Sequence, residues 1–294
     1  MQYIQSFLKY IQFEKRGSHH TVISYRCDLD QFYNYISTNG ISLWPEVTSK
    51  HIRQWMVNML DEGLTSKSVN RKIATLKSFY RYLMREGIVE VNPTLKIITP
   101  KLAKRLPEFV KEKEMDVLLD EIDFGDTYSG IRDHLMIDLF YCTGIRLSEL
   151  SGLKLSDIDL KGDVIKVLGK RNKERIVPFN KNLKVSITEY IDVRNKTFPN
   201  KNILQLFLTN KGEPIYNKLI YRVVKKYLST VTTLAKKSPH ILRHTFATVL
   251  LNKGADINAI KELLGHANLS ATEIYTHNSF EQLNAIYKQA HPRA

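Results

Sequence analysis

The chain has 294 residues, 43% of them hydrophobic, which is enough material for one large domain or two ordinary ones. Its 44 Lys and Arg against 30 Asp and Glu give a formal net charge of +14, and a field of that sign draws polyanions: DNA, RNA or an acidic membrane surface. The lack of any run of about 18 apolar residues argues against a transmembrane protein, and the presence of only two cysteines, Cys27 and Cys142, argues against a disulfide framework.

The opening MQYIQSFLKY has neither the apolar core nor the small-residue cleavage site of a signal peptide. The expectation is a soluble, cytoplasmic protein that meets nucleic acid, with no membrane partner. Both cysteines lie in helical, apolar-rich stretches and are expected to be reduced core residues, too few to build a zinc site alone.

The first hundred residues read as helical. Ile4, Phe7, Leu8 and Ile11 recur at i, i+3, i+4, i+7. Val22, Tyr25, Leu29, Phe32, Tyr33 and Ile36 repeat the pattern, as do Ile52, Trp55, Met56, Met59 and Leu60. A fourth helix is predicted over 66–85. At about 100° per residue, Lys67, Arg71, Lys77, Arg81 and Arg85 share about a third of its circumference. Val69, Ile73, Leu76, Phe79, Tyr80 and Leu83 take the opposite side, and no acid lies between Lys67 and Arg85. Ordinary solvated helix faces mix signs through i,i+4 pairs, so this one is read as a contact for DNA backbone or groove.

Residues 97–107, IITPKLAKRLP, break the periodicity between two prolines and read as an extended linker with a boundary near residue 103. Beyond it, 111–122 and 131–142 are predicted helical. Asp163 to Phe179 holds two β-rich runs around a polar turn, a hairpin signal, and a third strand is predicted from Ile203 to Thr209. Helices are predicted near 216–229, 239–252, 256–264 and 279–289. Ser238-Pro239 reads as an N-cap with proline at the first helical position, and Gly254 and Gly265 read as helix stops.

Several groups could do chemistry. In PHILRHTFAT (239–248), His240 and Arg243 share one face near a helix N-terminus, where free N–H groups and the macrodipole favour an anion. His240 and His244 have the spacing of a zinc pair, but no HExxH exists, and the expectation is no metal and no cofactor. In CTGIRLSEL (142–150), Thr143-Gly144 breaks a helix, and Arg146 follows, with Glu149 three residues on as its candidate partner. Lys170, Arg171, Lys173 and Arg175 cluster at the hairpin turn, read either as a solvated turn or as a loop carrying a lysine to a phosphate. In GHANLSATEIYTH (265–277), Tyr275 stands between two histidines. A free tyrosine has a pKa of about 10, so as a nucleophile it needs a proton acceptor and an electrophile polarised by cations. Together this set suits metal-free attack on a phosphodiester: arginines on the non-bridging oxygens, a lysine protonating the leaving oxygen, a histidine orienting or deprotonating the tyrosine.

At TGIRLSEL, GKRNKER, HILRHTFAT and LGHANLSATEIYTH, in that order and spacing, the sequence resembles the tyrosine recombinase (phage integrase) family, Xer subgroup, over nearly its whole length. The resemblance implies a mainly α protein with a small antiparallel β-sheet. A helical, SAM-like core-binding domain (1–97) would be followed by a linker (98–107) and an α+β catalytic domain (108–294) whose C-terminal helix, with Phe280, Leu283, Ile286 and Tyr287 at helical spacing, is exchanged between protomers. It implies Arg146, Lys170, His240, Arg243, His266 and Tyr275 as catalytic residues, Tyr275 as nucleophile and Glu149 in support. Family members often have glycine after the lysine, where this chain has Arg171. The implied partners are a double-stranded DNA recombination site, a tetramer on that DNA, a second related recombinase and a DNA translocase. The implied role is resolution of chromosome dimers through a 3′-phosphotyrosyl link and a Holliday junction. Alternatives are the integrase of a mobile element, a type IB topoisomerase, and a non-enzymatic transcription regulator, which would leave the ordered Arg, Lys, His, Arg, His and Tyr unexplained.

Overall fold

The computed structural model describes residues 1–102, 108–169, 174–199, 203–265 and 285–293, which fall into two units, Met1–Arg105 and Leu106–Ala294. In the first unit the apolar spacing turns inward. Helix α1 (Gln2–Lys9) buries Ile4, Phe7 and Leu8, and α2 (His19–Thr38) buries Val22, Leu29, Phe32 and Ile36. Helix α3 (Ser49–Asp61) buries Ile52, Trp55, Met56 and Met59, and α4 (Ser66–Arg85) buries Val69, Ile73, Leu76, Phe79, Tyr80 and Leu83. Side chains at two N-caps supply acceptors for otherwise orphaned N–H groups: Ser18 Oγ accepts from the Thr21 N–H at 3.2 Å, and Thr65 Oγ1 from the Ser68 N–H at 3.3 Å. Aromatic rings lock the helices together, with Trp44 edge-on to Phe79 at 4.8 Å and Phe32 against Trp55 at 4.9 Å.

Within this core sits a polar knot. Asp28 of α2, 1% exposed, accepts from Lys72 at 3.1 Å and Thr75 at 2.9 Å, and also pairs with Arg71. Cys27 beside it is exposed rather than in the core as the sequence suggested. It lies two residues, about 200°, from buried Leu29 and so faces the other side of α2. Cys142 is buried.

The second unit is built around α6 (Tyr128–Thr143), apolar on nearly every side and buried from Leu135 through Thr143. Before it, α5 (Glu112–Asp116) runs into a wider turn, Val117–Glu121, that buries Leu118 and Leu119. After it, α7 (Leu147–Gly152) leads to a three-stranded antiparallel sheet, β1 (Ile158–Asp159), β2 (Val164–Leu168) and β3 (Glu174–Pro178), in that order. β2 and β3 form the expected hairpin, with Val167 opposite Arg175. The remaining helices are α8 (Lys181–Thr197), α9 (Asn217–Val231), α10 (Pro239–Asn252) and α11 (Ile257–Leu264). Residues 285–290 are also helical. There, Tyr287 and Ala290 bury themselves in a cluster with Phe246, Leu250, Ile260 and Leu263 of α10 and α11. Phe280 and Leu283 lie outside the described residues.

Two expectations need correction. The third strand is β1, not 203–209, which makes only isolated bridges, Lys154 with Gln205 and Leu208 with Pro214. Leu206, Phe207 and Leu208 are buried in succession rather than alternately, so no strand face forms. Side chains take the backbone carbonyls that a neighbouring strand would have satisfied. Arg194 donates to Ile203 O at 2.8 Å, Gln205 O at 3.0 Å and Leu206 O at 3.0 Å, and Arg132 donates to Leu208 O at 3.1 Å. Helix α8 falls in a stretch assigned no element from sequence. Its buried residues Leu183, Ile187, Tyr190 and Arg194 do keep a helical spacing, and Asn180 Oδ1 caps it by accepting from the Leu183 N–H at 2.7 Å. Its many β-branched residues obscure the period.

Candidate active site

Helix α6 ends at Thr143 because Gly144 adopts a left-handed conformation, φ 59°. Only glycine fits there: a Cβ would stand 2.5 Å from Phe246 Cδ1 and 2.9 Å from Leu264 Cδ2. The turn delivers Arg146 to the N-cap of α7. Glu149 reaches back, Oε2 accepting from the Arg146 backbone N–H at 2.7 Å and Oε1 from its Nη1 at 2.6 Å. The arginine and acid paired from spacing are therefore joined.

A second arginine completes the bracing of Glu149. Arg175 donates from Nη1 and Nη2 to the two carboxylate oxygens at 2.9 and 2.8 Å, a bidentate fork. This corrects the reading of Arg175 as part of a solvated turn. In the pleat of β3, Arg175 alternates in phase with buried Val177, while Glu174 and Ile176 point outward. The signal was present in the sequence as that alternation. Burial alone would raise the Glu149 carboxyl. Hydrogen bonds and charge from Arg175, then from the Arg146 N–H and guanidinium, overturn that and hold it at about 2.

Arg243 comes from α10, on the first turns after Ser238 and Pro239. Proline occupies the first helical position as expected, but the Ser238 side chain makes no capping bond. Arg243 is 6% exposed and donates to Gly144 O at 2.6 Å and Leu264 O at 2.5 Å. Burial, then repulsion from Arg146 and Arg175, pulls its guanidinium down to about 9, which leaves it charged at neutral pH. Three arginines thus converge on the end of α11, where the last carbonyls of a helix lack intrahelical partners and carry the negative end of its dipole. Arg175 takes Leu263 O at 2.8 Å, Arg243 takes Leu264 O, and Arg146 takes Gly265 O at 2.8 Å. Gly265, left-handed at φ 62°, closes the helix, and His266 follows directly in sequence.

His240 is exposed near the start of the same helix as Arg243. His244 is lowered by burial and by His240, and its Nε2 is buried with no partner among the described residues. Lys170, His266 and Tyr275 lie outside the described residues, as do Arg171 and Lys173. Among the described residues no three His, Cys, Asp or Glu side chains gather as metal ligands, and no helix is long and apolar enough to cross a membrane.

On α4 the five cations are not equivalent. Lys67 and Arg81 are exposed and Lys77 is half-buried, with Nζ 3.4 Å from Ile97 O. Arg71 is tied to Asp28 and Ser24. Arg85 pairs with Glu86 at 2.8 Å and lies over the Tyr10 ring at 4.1 Å. The acid that ties Arg71 comes from α2, while Glu86, the residue that caps the C-terminus of α4, lies just past the stretch without acids.

Comparison with known proteins places this geometry. The profile of the phage integrase family matches residues 108–282, and that of the phage integrase N-terminal SAM-like domain matches 4–87. A protein of Oceanobacillus iheyensis called tyrosine recombinase XerC is 40% identical over 99% of this chain and 96% of its own length. The tyrosine recombinase XerC of Bacillus subtilis is 35% identical over 99% and 97%. Among solved structures, XerA recombinase is 28% identical with a TM-score of 0.50, covering 100% of this chain and 99% of that one. XerH bound to a palindromic difH substrate, a post-cleavage complex, is 24% identical with a TM-score of 0.73, covering 96% and 83%. The chain belongs to the phage integrase family and is a tyrosine recombinase, a DNA strand-transferase of the Xer site-specific type that acts through a tyrosine-linked intermediate.

Proposed function

We propose that Tyr275 is the nucleophile and that Arg146 and Arg243 receive the non-bridging oxygens of the scissile phosphate. The observation that carries this reading is the cluster at the end of α11: three guanidiniums gather there with one carboxylate, Glu149, which only Arg146 and Arg175 bond, an excess of positive charge that a phosphate would balance. Arg146 is its accessible member, with a side chain 32% exposed against 4% for Arg175. The Tyr275 phenol oxygen attacks phosphorus and the bond to the 5′ oxygen breaks. The leaving alkoxide takes a proton from Lys170, and the phenol proton passes to a histidine, His266 or His240. The product is a 3′-phosphotyrosyl link and a free 5′-hydroxyl, which can attack a partner duplex by the reverse chemistry. No metal or energy-rich cofactor is required, since one phosphodiester is exchanged for another.

The wider reading is of domains 1–97 and 108–294 joined by the 98–107 linker and closing on a recombination site, with Lys67, Lys77 and Arg81 foremost among the α4 contacts to DNA. Four protomers would enclose two duplexes, each C-terminal helix docking on a neighbour, alone or with a second related recombinase, under a DNA translocase. The role would be resolution of chromosome dimers in the cytoplasm, at the nucleoid. Near-complete coverage by relatives called XerC supports this over a mobile-element integrase.

The test is Tyr275→Phe on a nicked duplex that traps the covalent intermediate, carrying a site found by sequencing covalent products from genomic DNA. The variant should bind the duplex and form no covalent band; a persistent band would reassign the nucleophile. EDTA should leave wild-type cleavage intact.

A further inference from the structure

The buried arginine of β3 has no place in the chemistry proposed above, yet it touches both supports of the site. Its three bonded donors are fully committed. Nη1 and Nη2 hold the two oxygens of Glu149, and Nε holds Leu263 O of α11 at 2.8 Å. All three of its guanidinium nitrogens are thus held by protein oxygens, whereas Arg243 is held, among the described residues, at Nη1 and Nη2 alone. The same two Glu149 oxygens fix Arg146 at its backbone N–H and at Nη1. The α11 terminus that Arg175 holds is the point from which the chain passes through Gly265 to His266. Packing there is close, for a Cβ on Gly265 would stand 3.2 Å from both Cδ and Nη1 of Arg175.

We infer that Arg175 is a positioning residue for strand cleavage: through its fork on Glu149 it orients Arg146, and through Leu263 O it sets where the segment bearing His266 and Tyr275 leaves α11. The inference rests on the reading of Arg146 and Arg243 as the phosphate-binding pair. Lysine is a poor substitute, because a single ammonium cannot hold both carboxylate oxygens and a third carbonyl in one plane. A displacement of about 1 Å at a reacting group can cost about a hundredfold in rate, so the effect belongs to the chemical step rather than to affinity.

A purely structural role would predict something different, and pH separates the two. The groups facing Glu149 are Arg146 of its own helix, Arg175 of β3 and, by charge, Arg243 of α10; α11 presents backbone carbonyls. With the fork removed, burial is opposed by Arg146 and the more distant Arg243 alone, and the carboxyl rises from its low value. Once protonated, Glu149 no longer holds Arg146 as an ionised acceptor, so cleavage should acquire an acid limb nearer neutrality.

Single-turnover cleavage of the nicked duplex at saturating full-length protein tests this. Arg175→Gln should cleave bound duplex about 10- to 100-fold more slowly, with duplex affinity within about threefold of wild type and the acid limb raised by about one pH unit or more. Arg175→Lys should fall between. Glu149→Gln, with Arg175 intact, should cleave slowly with no acid limb of its own. If Arg175→Gln folds poorly, Arg175→Lys carries the same pH readout. Wild-type rates in both Arg175 variants, or slow cleavage with an unmoved acid limb, overturn the inference. Arg146→Ala run alongside separates the two claims. Its cleaving normally would sink the phosphate-site reading. Its inactivity beside normal Arg175 variants would sink only the positioning role.

Discussion

Each unit hides a carboxylate among cations, and the two are used differently. In the first, Asp28 is met by Lys72, Arg71 and Thr75, with Lys72 held also by Gln31, so each cation there meets Asp28 directly. In the second, Glu149 is met by Arg146 and Arg175, while Arg243 stands beside them bonded to backbone carbonyls and, among the described residues, to no carboxylate. The first knot is closed and joins α2 to α4. In the second, Arg243 is left without a carboxylate partner among the described residues, and burial, then repulsion from Arg146 and Arg175, pulls it down to about 9. Both clusters hold more cations than acids, two to one against three to one, but only the second has a cation that no acid bonds among the described residues.

The largest expected effect tests the closed knot. Asp28→Asn leaves Lys72 buried without a counter-charge and should destabilise the first unit by about 3–5 kcal/mol, read as a lower denaturant midpoint. A loss under about 1 kcal/mol would mean that this cluster is no more closed than the other. Arg243→Ala should do the reverse, cutting cleavage of bound duplex by about 10²- to 10³-fold with a smaller change in melting temperature. A collapse of stability with normal cleavage per folded molecule would erase the contrast.

Acid titration is next. Glu149 sits at about 2 in the folded chain against 4.5 unperturbed. The folded state therefore binds this proton less tightly than the unfolded chain. The resulting stabilisation, on the order of 3 kcal/mol, is complete above pH ~4.5 and lost as pH falls towards 2. Glu149→Gln should flatten that part of a urea-midpoint profile, and an unchanged profile would remove Glu149 from it. Smallest, Lys67→Gln and Arg81→Gln should each lower the salt dependence of duplex binding by about one phosphate's worth. Arg71→Gln and Arg85→Gln should do less, since their charges already face Asp28 and Glu86.

Much of this was legible in the order of residues. Helix α4 spans 66–85 as its two-faced pattern requires, and the β2–β3 hairpin and the stops at Gly144 and Gly265 follow from local turn chemistry. Glu149 could be matched to Arg146 because three residues separate them on one helix. What stayed hidden depends on contacts distant in sequence. Arg175 is 26 residues from Glu149, and Asp28 is 44 from Lys72. The 203–209 segment looked like a strand because it is apolar, but its carbonyls are taken largely by side chains distant in sequence, Arg194, Arg132, Tyr190 and Tyr128.

The bend at Gly144 sets a clearance. With no room for even one more carbon between Phe246 and Leu264, the gap between the end of α6, the side of α10 and the end of α11 equals the thickness of bare main chain. Redesign of this enzyme towards other sequences can vary its outer faces, such as Lys67 or Ile176, at little risk. A single methyl added at the bend would act as a wedge, shifting the mounts of Arg146 and Arg243 together.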